Sequence, residues 1–289
     1  MIAASFEYHV PKTLAEATRL AAQFGDDGKV LAGGHSLIPL MKLRLAAPKH
    51  LIDIGRIEEM SAIREEGERI GIGAMATHFQ LESSEMLKAK CPLLPETARE
   101  IGDVQVRNRG TIGGNIGHAD PAADWPAALL ALDAEIHAVS EQGQRSLPIT
   151  EFFVDLLTTA LEPAEILTSI SVPALPARGG DAYAKLAHPA SGFAVVGVAA
   201  RVVLDEKGSI AQVGVGLTGI GPKAYRATAV ENLLRGKAAS SKRLQEASAH
   251  AADGIEPTGD IYASAEYRAH LASVYTRRAL ESALERANA

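Results

Sequence analysis

The chain has a single cysteine in 289 residues, Cys91. One thiol closes no internal disulfide, and by itself it holds neither an iron–sulfur cluster nor a thiolate zinc centre. Basic charge is short as well: 29 Lys and Arg stand against 35 Asp and Glu, a formal net charge of −6. That balance disfavours a nucleic-acid partner, because phosphate backbones select a basic face. It says nothing against a small anion held by backbone groups. Long apolar runs are missing too. The stretch LAHPASGFAVVGVAA (186–200), as long an uncharged run as the chain contains, is too short and too rich in small residues for a membrane span. The opening MIAASFEYHV has neither a basic nor an apolar leader pattern, so a cytoplasmic chain is expected. What is present, 47% hydrophobic and 22% charged residues, is the composition of a soluble globular protein with room for two domains.

Along the chain, Thr13 with Glu16 predicts a capping box, followed by Leu14, Ala17, Leu20 and Phe24 on one helical face and Gly25 as a stop. A short strand KVLA (29–32), a helix SLIPLMKLRLA (36–46) and a strand HLIDI (50–54) then predict a small parallel βαβ unit. After residue 55 the pattern changes. RIGIGAMA (69–76), DAEIHAVS (133–140) and AEILTSISV (164–172) read as strands and PLLPETAREI (92–101) as a helix, an α+β arrangement with mostly antiparallel pairing. PALPARGGD (173–181) marks a domain boundary, followed by strands near 182–188, 193–204 and 209–219 and then helices, the last starting at Ser264.

Two glycine-rich stretches stand out. In LAGGHSLIPLMKLRLA (31–46), Gly33 and Gly34 allow a turn with positive φ and a close approach to the amides. Ser36 is an N-cap candidate whose hydroxyl could instead donate to a phosphate, and Pro39 falls in the first helical turn. Orphan amides at a helix start suit a pyrophosphate, whereas the plain alternative is a strand-to-helix turn with no ligand. The second stretch, RGTIGGNIGHADPAAD (109–124), places Gly113, Gly114 and Gly117 within five residues. Such a run in a helix or strand interior would cost roughly 0.5–1 kcal/mol per glycine. Successive amides lining an anionic concavity would offset that cost. Asp124 reads either as a ribose-hydroxyl acceptor or as an N-cap for WPAALLAL. The sequence GVGLTG (214–219) fits GxGxxG but lies in a strand pattern ahead of Gly221 and Pro222, so it is read as a glycine-rich strand. His35, His78 and His118 lack metal-ligand spacing, and no proton-transfer machinery is visible.

AGGHS (32–36) and TIGGN (111–115), in this order and spacing, resemble the two FAD-pyrophosphate loops of the flavoprotein subunit of molybdenum hydroxylases. In pattern the chain is nearer to the medium subunit of aerobic carbon monoxide dehydrogenase than to the FAD domain of xanthine dehydrogenase. The resemblance extends through SFEYHVPKTLAEA, IGAMATH (72–78) and SAEYRAHLASVYTRRAL (264–280). It implies an FAD-binding domain of the PCMH or vanillyl-alcohol-oxidase type over 1–175, with subdomains 1–55 and 56–175. Residues 176–289 would form a C-terminal domain of a three-stranded antiparallel sheet and a helical bundle. It implies a first FAD loop of Ala32, Gly33, Gly34, His35, Ser36 and Leu37, with His35 a contact or a spacer, and a second of Thr111, Gly113, Gly114 and Asn115. Asp124 would meet the adenosine ribose, Ile101 the adenine and the Leu167 backbone the isoalloxazine edge. Lys185 would lie near the flavin, its bland alternative being a solvated strand lysine. Phe193 would cover the isoalloxazine, its alternative being a core residue. AHPASGF (187–193) departs from the relatives' glycine–aspartate–tyrosine set and from the basic run before it.

By the same resemblance, a large partner subunit carries the molybdopterin-type molybdenum cofactor and a small iron–sulfur subunit carries two 2Fe–2S clusters. A dimer of heterotrimers would pass electrons through the FAD to a quinone or other external acceptor, in the cytoplasm or at the inner face of the membrane. The competing readings are a self-sufficient flavin oxidase with the same FAD-domain fold and a nucleotide-sensing protein without redox work.

Overall fold

The computed structural model describes residues 2–289. Strands Glu7–His9, Gly28–Leu31 and His50–Asp53 form a parallel sheet with the last of them in the centre. Thr13 opens the helix Leu14–Phe24, its hydroxyl accepting from the Glu16 amide at 3.2 Å, while the Glu16 carboxylate takes the Lys12 amide at 2.9 Å. The reciprocal arm of the expected capping box therefore closes one residue early. The second helix is shorter than its pattern suggests, Leu37–Leu43. Arg44 turns left-handed at φ 59°, and the Leu45 amide returns to the Leu40 carbonyl at 2.9 Å, which satisfies the last carbonyls and ends the helix.

The next layer is a five-stranded antiparallel sheet, ordered Ile63–Glu66, Arg69–Gly73, Ile166–Pro173, Glu135–Ser140 and Gly143–Pro148. Apolar residues alternate on its inner face, with Ile70, Ile72, Ile136 and Ile170 fully buried. Helices Leu93–Arg99 and Asp124–Ala131 pack into the same core around Trp125.

The C-terminal part is an antiparallel sheet of Gly179–Ala187, Ala194–Leu204 and Ile210–Thr218, backed by the 23-residue helix Ala265–Ala287. A two-residue strand, Tyr225–Arg226, adds a fourth member to the three expected. Every residue of Asp124–Ala131 is buried, because this helix lies between the core of the antiparallel layer and the C-terminal sheet. The glycine-rich strand makes that contact possible. A Cβ on Gly214 or Gly216 would collide with the carbonyl oxygen of Ala131 or Ala127. GVGLTG thus serves close packing of a helix on a sheet, and it lies in a strand as read from sequence. Elsewhere on this seam, Arg201 pairs bidentately with Asp181 at 2.7 Å on each arm and reaches the Pro173 carbonyl at 3.0 Å.

Candidate functional site

A cleft of about 800 Å³ opens where the parallel sheet, the antiparallel sheet and one turn of the C-terminal sheet meet. Its size falls within the ~300–1,000 Å³ usual for small-molecule sites. Fourteen of the fifteen positions singled out from sequence line it: Ala32 to Leu37, Ile101, Thr111, Gly113, Gly114, Asn115, Asp124, Leu167 and Phe193. Lys185 does not.

The two glycine stretches are in direct contact. A Cβ added to Gly33 would run into the Arg109 carbonyl and lie 2.9 Å from the Gly110 Cα, and one on Gly114 would lie 3.3 Å from the Ala32 Cβ. In the first stretch Gly34 adopts φ +82°, the left-handed turn anticipated there. The amides of Gly34, His35 and Ser36 donate to no protein acceptor among the described residues. Ser36 occupies the N-cap position, but its hydroxyl makes no capping bond, so it too is free to meet a ligand.

The second stretch departs from expectation. Residues 112–118 form a helix, not a loop, and Thr111 caps it by accepting from the Gly114 amide at 3.1 Å. The amides expected to line an anion site are used inside the protein: Ile112 donates to Ala76 at 3.0 Å, Gly113 to Ala74 at 2.8 Å and Asn115 to Thr111 at 3.0 Å. Glycine is required at 113 because a Cβ there would stand 2.5 Å from that of Ala74. What this segment offers the cleft is a bare helix face at Gly114 and Gly117, the Thr111 hydroxyl proton and the Asn115 amide. The Asn115 Oδ1 is buried with no hydrogen-bond partner, and an orphaned buried acceptor is a position a ligand donor can satisfy.

Asp124 is not the N-cap. Ala123 holds that position and Asp124 is the first helical residue. Its carboxylate accepts from the Tyr183 hydroxyl at 2.6 Å and from the Lys185 ammonium at 2.9 Å. The Lys185 side chain is 1% exposed, which rules out the solvated-lysine alternative, and it also donates to the Glu100 carbonyl at 2.8 Å. Burial pushes Asp124 up to about 6, against the opposing pull of Lys185 and the Tyr183 hydrogen bond. Tyr183, which nothing in the sequence marked, rises well above its ordinary value through burial and the facing carboxylate.

Of the apolar lining residues, Ile101 follows the Glu100 carbonyl that Lys185 reaches, and Ile101 and Leu167 are each 7% exposed; the ladder carrying Leu167 slips register between Leu167 and Ser169. Phe193 is 47% exposed, so the core alternative fails. It sits on a tight turn in which Gly192 takes φ +72° and the His188 amide donates to the Phe193 carbonyl at 2.7 Å. His78 accepts from the Trp125 indole at 3.0 Å and is pushed down to about 3, first by burial and then by the neighbouring His35 and Arg107. It is a neutral packing group. His35 and His118 line the cleft. Sequence reasoning missed the segment from Leu157 to Ile166, which closes one side. Its left-handed residues, Leu157 at φ 52° and Ala164 at φ 67°, are not glycines, so no residue type announced the turn.

Residues 4–175 match the family described as the FAD binding domain in molybdopterin dehydrogenase, and residues 181–283 match the CO dehydrogenase flavoprotein C-terminal domain. The chain is 42% identical to the carbon monoxide dehydrogenase medium chain of Hydrogenophaga pseudoflava, covering 99% of both. It is 38% identical to the alpha subunit of the 6-hydroxypseudooxynicotine dehydrogenase complex of Paenarthrobacter nicotinovorans, covering 98% of this chain and 96% of that one. Its structure superposes on carbon monoxide dehydrogenase from Hydrogenophaga pseudoflava with a TM-score of 0.96 at 44% identity, over 99% of each chain. On quinoline 2-oxidoreductase from Pseudomonas putida 86 the TM-score is 0.92 at 30% identity, over 99% of each chain. Among the described residues no helix is long and apolar enough to cross a membrane.

Proposed function

Because the chain belongs to the family of FAD-binding medium subunits of molybdenum hydroxylases, we propose that it relays electrons within a larger complex through an FAD seated in this cleft. The observation that supports this reading most is the meeting of two segments about eighty residues apart on one cleft. One brings free amides and the other a helix face stripped of side chains. The residues present fit the cofactor: the unsatisfied Asn115 oxygen and the unbonded Ser36 hydroxyl both border the space a dinucleotide would fill.

In this reading the amides of Gly34, His35 and Ser36, with the Ser36 hydroxyl, hold the diphosphate from one side. The Thr111 hydroxyl accepts from Gly114 and keeps its proton to donate to the same group. Gly114 and Gly117 leave room for it. Asp124 accepts from the ribose hydroxyls, since two hydrogen-bonded neighbours leave a carboxylate with spare lone pairs. Lys185 acts through Asp124, holding that carboxylate charged and oriented. Ile101 supplies an apolar wall for the adenine, and Leu167 and Phe193 border the isoalloxazine, where an aromatic face stacks. When bound, the flavin takes up electrons singly or in pairs and hands them on; the protein places and polarises it. The donor is a small iron–sulfur subunit with two 2Fe–2S clusters, itself supplied from a large molybdopterin subunit, and the acceptor is a quinone or similar carrier. The single cysteine supports that division of labour, because this chain cannot ligate the clusters itself.

The test is direct. The purified chain should carry one FAD, visible in its absorption spectrum and retained on desalting. Expressed with its neighbouring genes, it should co-purify with a molybdenum-containing and an iron–sulfur chain. A colourless chain that takes up no added FAD would end the proposal.

A further inference from the structure

A second set of ligating groups lies away from the cleft. Strand Glu7–His9 pairs in parallel with His50–Asp53, Glu7 opposite His50. Alternate residues of a strand share a face, so Glu7, His9 and His50 project together. His9 Nε2 lies 3.2 Å from His50 Nδ1, and a Glu7 carboxylate oxygen lies 3.5 Å from His50 Nδ1 and 3.9 Å from His9 Nε2. Phe24, at the end of the first helix, stacks on His50 at 3.8 Å with a 6° interplanar angle and lies 4.8 Å from the His9 ring. The two imidazoles are thus held in place with side chains 24% and 21% exposed, while Glu7 is 74% exposed and free to adjust. None of the three borders the cleft.

We infer that Glu7, His9 and His50 form a binding site for a late first-row divalent cation of the zinc class, with water in the fourth position. Zinc bonds of about 2.0–2.1 Å to nitrogen and oxygen put neighbouring tetrahedral ligands roughly 3.3–3.5 Å apart. The Glu–His50 separation already has that spacing, the His–His separation of 3.2 Å falls just short of it, and rotation of the exposed Glu7 side chain closes the third. Two imidazole nitrogens aimed at each other share at most one proton between them; a cation satisfies both lone pairs and the adjoining carboxylate together. Imidazole donors select zinc, copper or nickel over magnesium and calcium. A bound ion would pin the outer strand of the parallel sheet to its central strand and stabilise the fold by mass action.

The untagged chain, stripped with EDTA and dialysed, is titrated with zinc chloride alone by calorimetry, with bound metal counted by elemental analysis. One zinc per chain is expected, unaffected by millimolar magnesium and accompanied by a higher melting temperature. His9→Asn and His50→Gln should each weaken binding at least about tenfold and shrink the thermal shift at a fixed zinc concentration, with the circular dichroism spectrum unchanged. Glu7→Gln, at an exposed position where folding is not at stake, should weaken it less. FAD content should be the same in all three variants. No saturable zinc uptake, or uptake equal to wild type in Glu7→Gln and in whichever histidine variant folds, overturns the assignment.

Discussion

At the residue scale Gly113 and Gly117 of the second stretch have different jobs. A Cβ at Gly117 meets nothing within 4 Å, and the position borders the cleft. Gly117→Val should therefore leave the apoprotein within about 0.5 kcal/mol of wild type. FAD per chain after desalting should fall at least about tenfold, the equivalent of about 1.4 kcal/mol of binding. Gly113→Ala should do the reverse. Its methyl would press on Ala74, so a loss of about 1–3 kcal/mol should appear in urea denaturation whether or not FAD is present. Asp124 makes a pH prediction. Its folded-state value is raised to about 6 from an ordinary 3.8, so between those values the native state binds more protons than the unfolded one. Stability contributed by this group is complete below about pH 4 and declines as pH rises through 6. Across that window the stability advantage of wild type over Asp124→Asn should shrink in urea midpoints. An advantage that grows instead would show that attraction to Lys185 outweighs burial.

At the element scale, the strands were legible because a two-residue alternation survives in short runs such as Arg69–Gly73 and Glu135–Ser140. The helix Ile112–His118 was not. Ile112 and Ile116 give the correct four-residue spacing, but the glycines between them argue locally for a loop. What favours the helix is distant: the Ile112 and Gly113 amides are accepted by Ala76 and Ala74, and Gly113 must sit against Ala74. The same logic governs the strand Ile210–Thr218. Gly216→Ala should push the helix Asp124–Ala131 off the sheet, at about 1–3 kcal/mol. Because Asp124 begins that helix, FAD retention should drop with it, a coupling that desalting and thermal melts on the same variant would reveal.

At the scale of the whole molecule, the seam between the two parts contains a buried charge pair and the lone thiol. The Cys91 Sγ lies 3.5 Å from Arg201, and burial pushes the thiol up to about 12. It should resist alkylation in the native protein and react at the rate of global unfolding, and fast labelling in buffer would contradict its placement. Arg201→Met leaves Asp181 buried without its partner and should cost about 3–5 kcal/mol, whereas adding Asp181→Leu should recover much of that loss in chemical denaturation. The sequence by itself determined the family, the alternation of strands and helices and the two glycine segments, because those depend on residue type and local spacing. Which glycines are there for packing, which amides stay free, and that Asp124 meets Tyr183 and Lys185, 59 and 61 positions away, were decided only by the tertiary structure. A charge state or a free donor depends on distances between groups far apart in the chain, and local pattern carries no measure of those distances.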